Sequence, residues 1–249
     1  MIELVSIITA NYNAQKFIAD TIESVLAQTY TNWEMIIVDD CSSDDSIEII
    51  KQYMQQDKRI KLIELKNNSG AAIARNQAIE KAQGRYIAFL DSDDLWKSDK
   101  LEKQISFMLE NKYSFTYTNY NLIDENNIEY GKTFEAPKYV SYKDLLKTCS
   151  IGCLTAIYDT QYLGKVYMPV ILKRQDYALW LKILKMIDKA YCLEESLAIY
   201  RTRSNSISSN KLKAAQYQWR IYREIEKLNI ITSSYYFIHY ALNGFKKYK

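Results

Sequence analysis

The sequence predicts an α/β protein built on a mostly parallel central sheet with helices on both faces. Three observations carry this. Short, continuous apolar runs alternate with amphipathic segments through the first half of the chain. That rhythm implies βα units, because parallel strands need a helical crossover and are then covered on both sides. Two of the apolar runs end directly in acidic clusters, Asp39-Asp40 and Asp91-Ser92-Asp93-Asp94. With only 6 Gly and 2 Pro in 249 residues, no flexible linker divides the chain.

The elements follow in order. Leu4–Thr9 is an apolar run rich in β-branched residues and reads as a buried strand. In Phe17–Leu26, Phe17, Ile18, Ile22, Val25 and Leu26 recur at helical spacing. Glu34–Val38 is a second strand. Asp44 or Asp45 can cap a helix over Ser46–Gln56. Ile60–Ile63 is a third strand, Ala71–Ala82 an Ala-rich helix stopped by Gly84, and Tyr86–Leu90 a fourth strand. A helix over Leu101–Leu109 leads to a strand at Phe115–Thr118. The second half is less regular. Thr155–Tyr158 and Leu197–Tyr200 read as strands. Asp176–Met186 reads as a helix with Leu179, Trp180, Ile183 and Leu184 on one face. Lys211–Lys227 and Tyr235–Lys247 read as helices.

At 48% hydrophobic, the chain can bury one sizeable core. Its net charge of +3 gives no sign of a nucleic-acid partner. The charge is uneven, however. Residues 211–249 carry eight Lys/Arg against two Glu, so residues 1–210 are net negative. A basic tail on an acidic body suggests an anionic partner for 211–249, such as a membrane surface. The N-terminus lacks a secretion signal, and no apolar run approaches the length of a membrane span. The expectation is therefore a cytoplasmic protein, at most peripheral on the inner face of the membrane. Cys41, Cys149, Cys153 and Cys192 lack zinc-ligand spacing and read as buried, reduced thiols. Neither GxGxxG nor GxxxxGK[ST] occurs, and the one histidine is His239. Dinucleotide, P-loop and Ser-His-Asp chemistry are thereby disfavoured, and any general base is expected to be a carboxylate.

Each polar motif allows two readings. Carboxylates as close as Asp91, Asp93 and Asp94 repel unless a cation neutralises them, and their hard oxygens suit Mg²⁺ or Mn²⁺. The alternative is a solvated turn capping a helix near Ser98. Asp39 can accept from a base N–H or a ribose hydroxyl, or it can cap the next helix. Tyr12, between Asn11 and Asn13, offers a ring for base stacking, or the three residues are a plain loop. Arg75 can pair a diphosphate, or it can neutralise Asp39 or Asp91 as a structural bridge. Asp176 stands where a helix dipole favours an acid regardless of function.

Taken together, Val5–Asn13, Ser24–Tyr30, Glu34–Ser42, Ala74-Arg75-Asn76, Leu90–Asp94, Gln175-Asp176 with Trp180-Leu181, and Tyr200-Arg201 resemble family 2 glycosyltransferases of the GT-A fold. The resemblance covers roughly residues 4–210, and is nearest to bacterial enzymes of teichuronic acid, capsule or lipopolysaccharide synthesis. It implies a domain over 1–210, with a nucleotide-sugar half at 1–119 and an acceptor half at 120–210, followed by a helical extension at 211–249. It implies a UDP-sugar donor, a glycan or lipid-linked glycan acceptor and a divalent metal, Mn²⁺ or Mg²⁺. Ala10 and Tyr12 would line the base and ribose, and Asp39 would accept from the uracil. Asp93 would bind the metal, with Asp91 and Ser92 near the ribose and sugar. Asp176 would be the base of a single displacement.

Two positions depart from the family pattern. Gln175 stands where Glu is frequent, and Thr202-Arg203 replaces a metal-approaching His. Arg203 cannot ligate a cation but can bind diphosphate. A sugar-nucleotide nucleotidyltransferase is the alternative enzyme, but it would want a Gly-rich basic loop where Asn11-Tyr12-Asn13 stands. A non-catalytic binding protein is the other alternative, but it would have no need of Asp93 and Asp176.

Overall fold

The computed structural model describes residues 3–203 and 211–246. Its elements begin β1 (Val5–Asn11), α1 (Ile18–Leu26), β2 (Trp33–Asp39), α2 (Ser46–Gln56), β3 (Ile60–Glu64), α3 (Ala71–Lys81) and β4 (Tyr86–Phe89). β5 (Leu95–Trp96), α4 (Lys100–Asn111), β6 (Phe115–Ile123), β7 (Glu129–Phe134), β8 (Tyr139–Val140) and α5 (Tyr142–Lys147) follow. The chain continues through β9 (Ile157–Asp159), α6 (Thr160–Leu163), α7 (Gln175–Leu184) and β10 (Ala190–Arg201). It closes with α8 (Lys211–Arg220), a π turn over Ile221–Ile225, and α9 (Ile230–Lys246). The expected helix end at Lys247 lies outside the described residues.

One sheet runs through both halves in the order β3-β2-β1-β4-β9-β6-β10-β5, with β7 on β6 and β8 on β10. β1 pairs in parallel with β2 and β4, β2 with β3, and β6 with β10. β9 is antiparallel between β4 and β6. β5, β7 and β8 also pair antiparallel, so the sheet is mixed: its longest ladders are parallel, as expected, and the shorter ones antiparallel. β1, β2 and β4 read as unbroken apolar runs because both of their faces are covered. Alternate residues serve opposite faces. Ile8, Ile36, Val38 and Phe89 face the core that holds α3 and α7. Ile7, Met35, Ile37 and Ala88 face the one that holds α1, α2 and α4.

Several boundaries differ from expectation for identifiable reasons. α3 ends at Lys81, and Gly84 is not its left-handed cap. A Cβ at Gly84 would stand 2.6 Å from Ser6 N and 2.7 Å from Leu4 O, so this glycine permits the close approach of β1. Asp44, not Asp45, serves the start of α2, accepting from Ser46 N at 3.1 Å and Gln15 N at 2.9 Å. The helix expected over 211–227 is broken by the π turn. The four cysteines are not all buried: Cys153 and Cys192 are, Cys149 is partly so, and Cys41 is exposed at a positive φ of 64°.

Candidate active site

The carboxyl ends of β1, β2 and β4 form one rim. β1 lies between the other two, so the two acidic clusters flank its Asn11-Tyr12-Asn13 loop rather than touching across adjacent strands. Asn11 sits in register with Asp39 and donates from Nδ2 to Asp39 Oδ1 at 2.7 Å. Ser42 donates to the other oxygen through its backbone N–H at 2.8 Å, and its hydroxyl donates to Oδ1 at 2.5 Å. Asp39 is fully buried, so its carboxylate ties β1 to the turn after β2. Asp40, which had drawn no role from the sequence, accepts from Ser69 N at 2.6 Å and Gly70 N at 2.7 Å and so anchors the start of α3. Above this floor Tyr12 is 52% exposed and presents its ring to solvent, while Ala10 is half-buried against the core.

The four residues Asp91 to Asp94, beyond β4 and Leu90, divide between two environments. Asp94 turns inward, where it accepts from Arg201 N at 2.9 Å and its carbonyl accepts from Thr21 Oγ1 at 2.9 Å. It is a structural tie between the turn and β10. The turn is not the solvated helix cap that the sequence left open, since Ser92 and Asp94 are buried and the start of α4 at Asp99 has no side-chain cap. Asp91 pairs with Arg75 of α3, which fixes the earlier choice of Asp39 or Asp91 as its partner. Arg75 is itself buried, and its Nε has no protein acceptor. Asp93 pairs with Arg203 Nε at 2.9 Å, so a guanidinium already stands on this carboxylate.

Asp176 lies in the first turn of α7, half-buried and within the electrostatic reach of Arg75 and Asp91. Burial raises its carboxyl above the ordinary carboxylate range. Arg75 and the Tyr177 N–H oppose that shift, and Asp91 adds to it. Among the described residues Asp176 makes no direct ion pair, unlike Asp91 and Asp93. Arg75, Asp91 and Asp176 are also within electrostatic reach of the buried Cys153 thiol, whose pKa burial pushes well up. Nothing in the spacing of Cys153 had tied it to this group.

Arg174, the residue before α7 and two before Asp176, occupies the left-handed region at φ 60°. Its guanidinium leaves the site and bonds Gln218 Oε1 at 2.5 Å and Tyr240 OH at 2.6 Å, with its carbon 4.9 Å from the Tyr240 ring centre. The helix carrying Asp176 is thereby joined at its first turn to α8 and α9.

Burial and the neighbouring Asp91 raise the Asp93 carboxyl, against the lowering effect of Arg203. A divalent ion would relieve that repulsion. Two carboxylates fit an ion that completes its shell with diphosphate oxygens and water. Among the described residues, no group of three or more His, Cys, Asp or Glu is placed to hold a metal by itself.

Residues 6–158 match the glycosyl transferase family 2 profile. The chain is 51% identical over 244 residues to TuaG of Bacillus subtilis (strain 168), a glycosyltransferase named for teichuronic acid biosynthesis, spanning 98% of this chain and 97% of TuaG. It is 44% identical over 250 residues to WfgD of Escherichia coli, named as a UDP-Glc:α-D-GlcNAc-diphosphoundecaprenol β-1,3-glucosyltransferase, spanning 98% of this chain and 95% of WfgD. Two solved structures share the fold. Staphylococcus aureus TarS 1–349 with UDP-GlcNAc superposes at TM-score 0.72 and 21% identity, covering 89% of this chain and 67% of TarS 1–349. The mannosyltransferase PcManGT of Pyrobaculum calidifontis, with GDP-Man and Mn²⁺, superposes at 0.71 and 16%, covering 94% of this chain and 69% of that one. The fold is GT-A, and with a profile match over more than half its length and near-full-length relatives this similar, the chain belongs to glycosyl transferase family 2.

Proposed function

We propose that this glycosyltransferase moves a sugar, with inversion, from a UDP-sugar to a hydroxyl of a lipid-linked cell-surface glycan. The observation that carries the reading is the meeting of Asp176 with the Arg75–Asp91 pair beside the rim formed by β1, β2 and β4. The relatives support the substrate classes: WfgD is named for a UDP-sugar donor and a diphosphoundecaprenol acceptor, TuaG for a cell-surface polymer.

In this reading Tyr12 stacks on the base, Ala10 lines it, and Asp39 shapes its polar edge. Ser92 and Asp91 lie along the ribose and sugar. Asp176 takes the proton from the acceptor hydroxyl, whose oxygen attacks the anomeric carbon from the face opposite the diphosphate. The bond from that carbon to the diphosphate oxygen breaks, and UDP leaves with the electron pair. Arg75, with a free Nε, and Arg203 face the negative charge that accumulates there. Asp93 and Asp91 are the residues that would hold Mn²⁺ or Mg²⁺, which when bound supplies positive charge to the diphosphate.

A donor panel of UDP-, GDP- and dTDP-sugars with Mn²⁺ tests this by its released product. Nucleoside diphosphate is expected; pyrophosphate would indicate nucleotidyl transfer. A product that retains the donor's anomeric configuration would rule out single displacement. Full turnover in excess chelator, or in Asp93→Asn, would remove the metal from the scheme.

A further inference from the structure

The inward and outward faces of α9 differ sharply. Tyr236, Phe237 and Tyr240 pack against the protein, and Asn243 Nδ2 donates to Lys147 O at 3.3 Å. On the opposite side Ile231, Tyr235, Ile238 and Leu242 are 80, 52, 59 and 56% exposed. Their spacing of four, three and four residues aligns them in one stripe along the helix. No Asp, Glu, Lys or Arg occurs from Leu228 to Phe245, so nothing charged interrupts it. Lys227 stands before the helix, and Lys246, Lys247 and Lys249 come at the end of the sequence.

We propose that this outer stripe of α9 is a docking face for an anionic lipid surface. An apolar stripe with a tyrosine, carried on a segment of net positive charge, matches the layering of a membrane interface: acyl boundary under the stripe, anionic headgroups around it. The net +6 of residues 211–249 adds attraction of the right sign. A second copy of the chain is a poorer occupant. Docking two copies through it would bring two segments of net +6 charge together, and like charges repel. Ion-pairing groups for a partner are also absent along the stripe. α9 is too short and too polar to cross: no helix among the described residues is long and apolar enough. It lies on the surface instead. The lipid-linked acceptor proposed above supplies the purpose, and the inference rests on that reading for purpose alone. Through Tyr240 and Arg174 the same helix is bonded to the first turn of α7, so a docked α9 presents the Asp176 end of α7 to an acceptor anchored in that lipid.

The test is co-sedimentation of the full chain with vesicles of equimolar phosphatidylglycerol and phosphatidylcholine at low salt, and with phosphatidylcholine alone. The wild-type protein should bind the anionic vesicles, bind the neutral ones weakly, and come off at high salt. Ile231→Asp with Ile238→Asp should lower the bound fraction about tenfold or more, with circular dichroism unchanged. If that pair unfolds, Tyr235→Ser with Leu242→Ser serves in its place. No binding by the wild type, or equal binding by a folded variant, overturns the proposal. So does a wild-type dimer that the substitutions convert to monomer without any vesicle binding. Diphosphate release from donor in the absence of vesicles is measured alongside. Its failure would count against the glycosyltransferase scheme and leave the docking result standing.

Discussion

At the scale of single residues, the site separates acids that are already paired from one that is not. Asp176 makes no ion pair among the described residues and its carboxyl is raised by burial, which suits proton abstraction. Asp176→Asn should lower turnover about 10²- to 10⁴-fold, with donor affinity by calorimetry nearly unchanged. The sign of the pH dependence follows. The base works ionised, so wild-type activity should be lost as pH falls through a value above the ordinary aspartate range. The residual activity of Asp176→Asn should lack that acid limb. Asp39 is a different case, because Asn11 and Ser42 already hold both of its oxygens. Asp39→Ala strands those donors. It should therefore cost about 1–3 kcal/mol of folding stability in urea unfolding as well as about 1.5–3 kcal/mol of UDP affinity. A variant with full UDP affinity would confine Asp39 to the turn. The sequence marked Asp39, Asp91, Asp93 and Asp176 because acids at strand and helix ends stand out. The local pattern alone did not separate Asp93 from Asp94, which only the family resemblance did; their outward and inward directions depend on the distant Arg203 and Arg201.

At the scale of elements, legibility followed burial. β1 to β4 were visible because strands covered on both faces need unbroken apolar runs. β7 was not, because Glu129–Phe134 is exposed at nearly every position and reads as polar loop. β10 was seen only at Leu197–Tyr200. Its earlier part contains Glu194 and Glu195 and shifts register against β6, which erases the alternation a strand would show. Gly84 was visible but misread as a helix stop, since the clash it avoids is with backbone 78 residues away. Gly84→Ala should destabilise the fold by about 1–3 kcal/mol through overpacking, read as a lower denaturation midpoint. An unchanged midpoint would mean that β1 can shift. In α4, Lys100 is wholly buried, donates to Gln104 at 2.7 Å, and has its pKa pushed down to about 7 by burial. The unfolded chain holds that proton up to about 10. Stability should therefore rise with pH between about 7 and 10. Lys100→Met should flatten this part of the curve, and an unaltered slope would show that Lys100 is not its source.

At the scale of the molecule, the family pattern reached to about residue 210 and gave the fold and the rim. What it could not give was the attachment of the last helices to the rest. Arg174 reads as one more surface cation, yet its two bonds to Gln218 and Tyr240 join segments 44 and 66 residues apart. That attachment sets a reach. Tyr240 lies on the inner face of α9 and the exposed stripe on the outer, so they are separated by the helix diameter of about 10–12 Å. Asp176 follows Arg174 by two residues, about 3 Å further along α7. If the outer face rests on lipid, the reacting hydroxyl is held on the order of 20 Å from the headgroups. α9 is then a ruler. It would select acceptors by height above the membrane: a hydroxyl on the first sugars beyond the anchor would fall within its gauge, and the far end of a long polymer would not. A lipid bearing one or two sugars should be glycosylated faster than one bearing an extended chain of the same terminal sugar. Equal rates across chain lengths would mean that the ruler is not used.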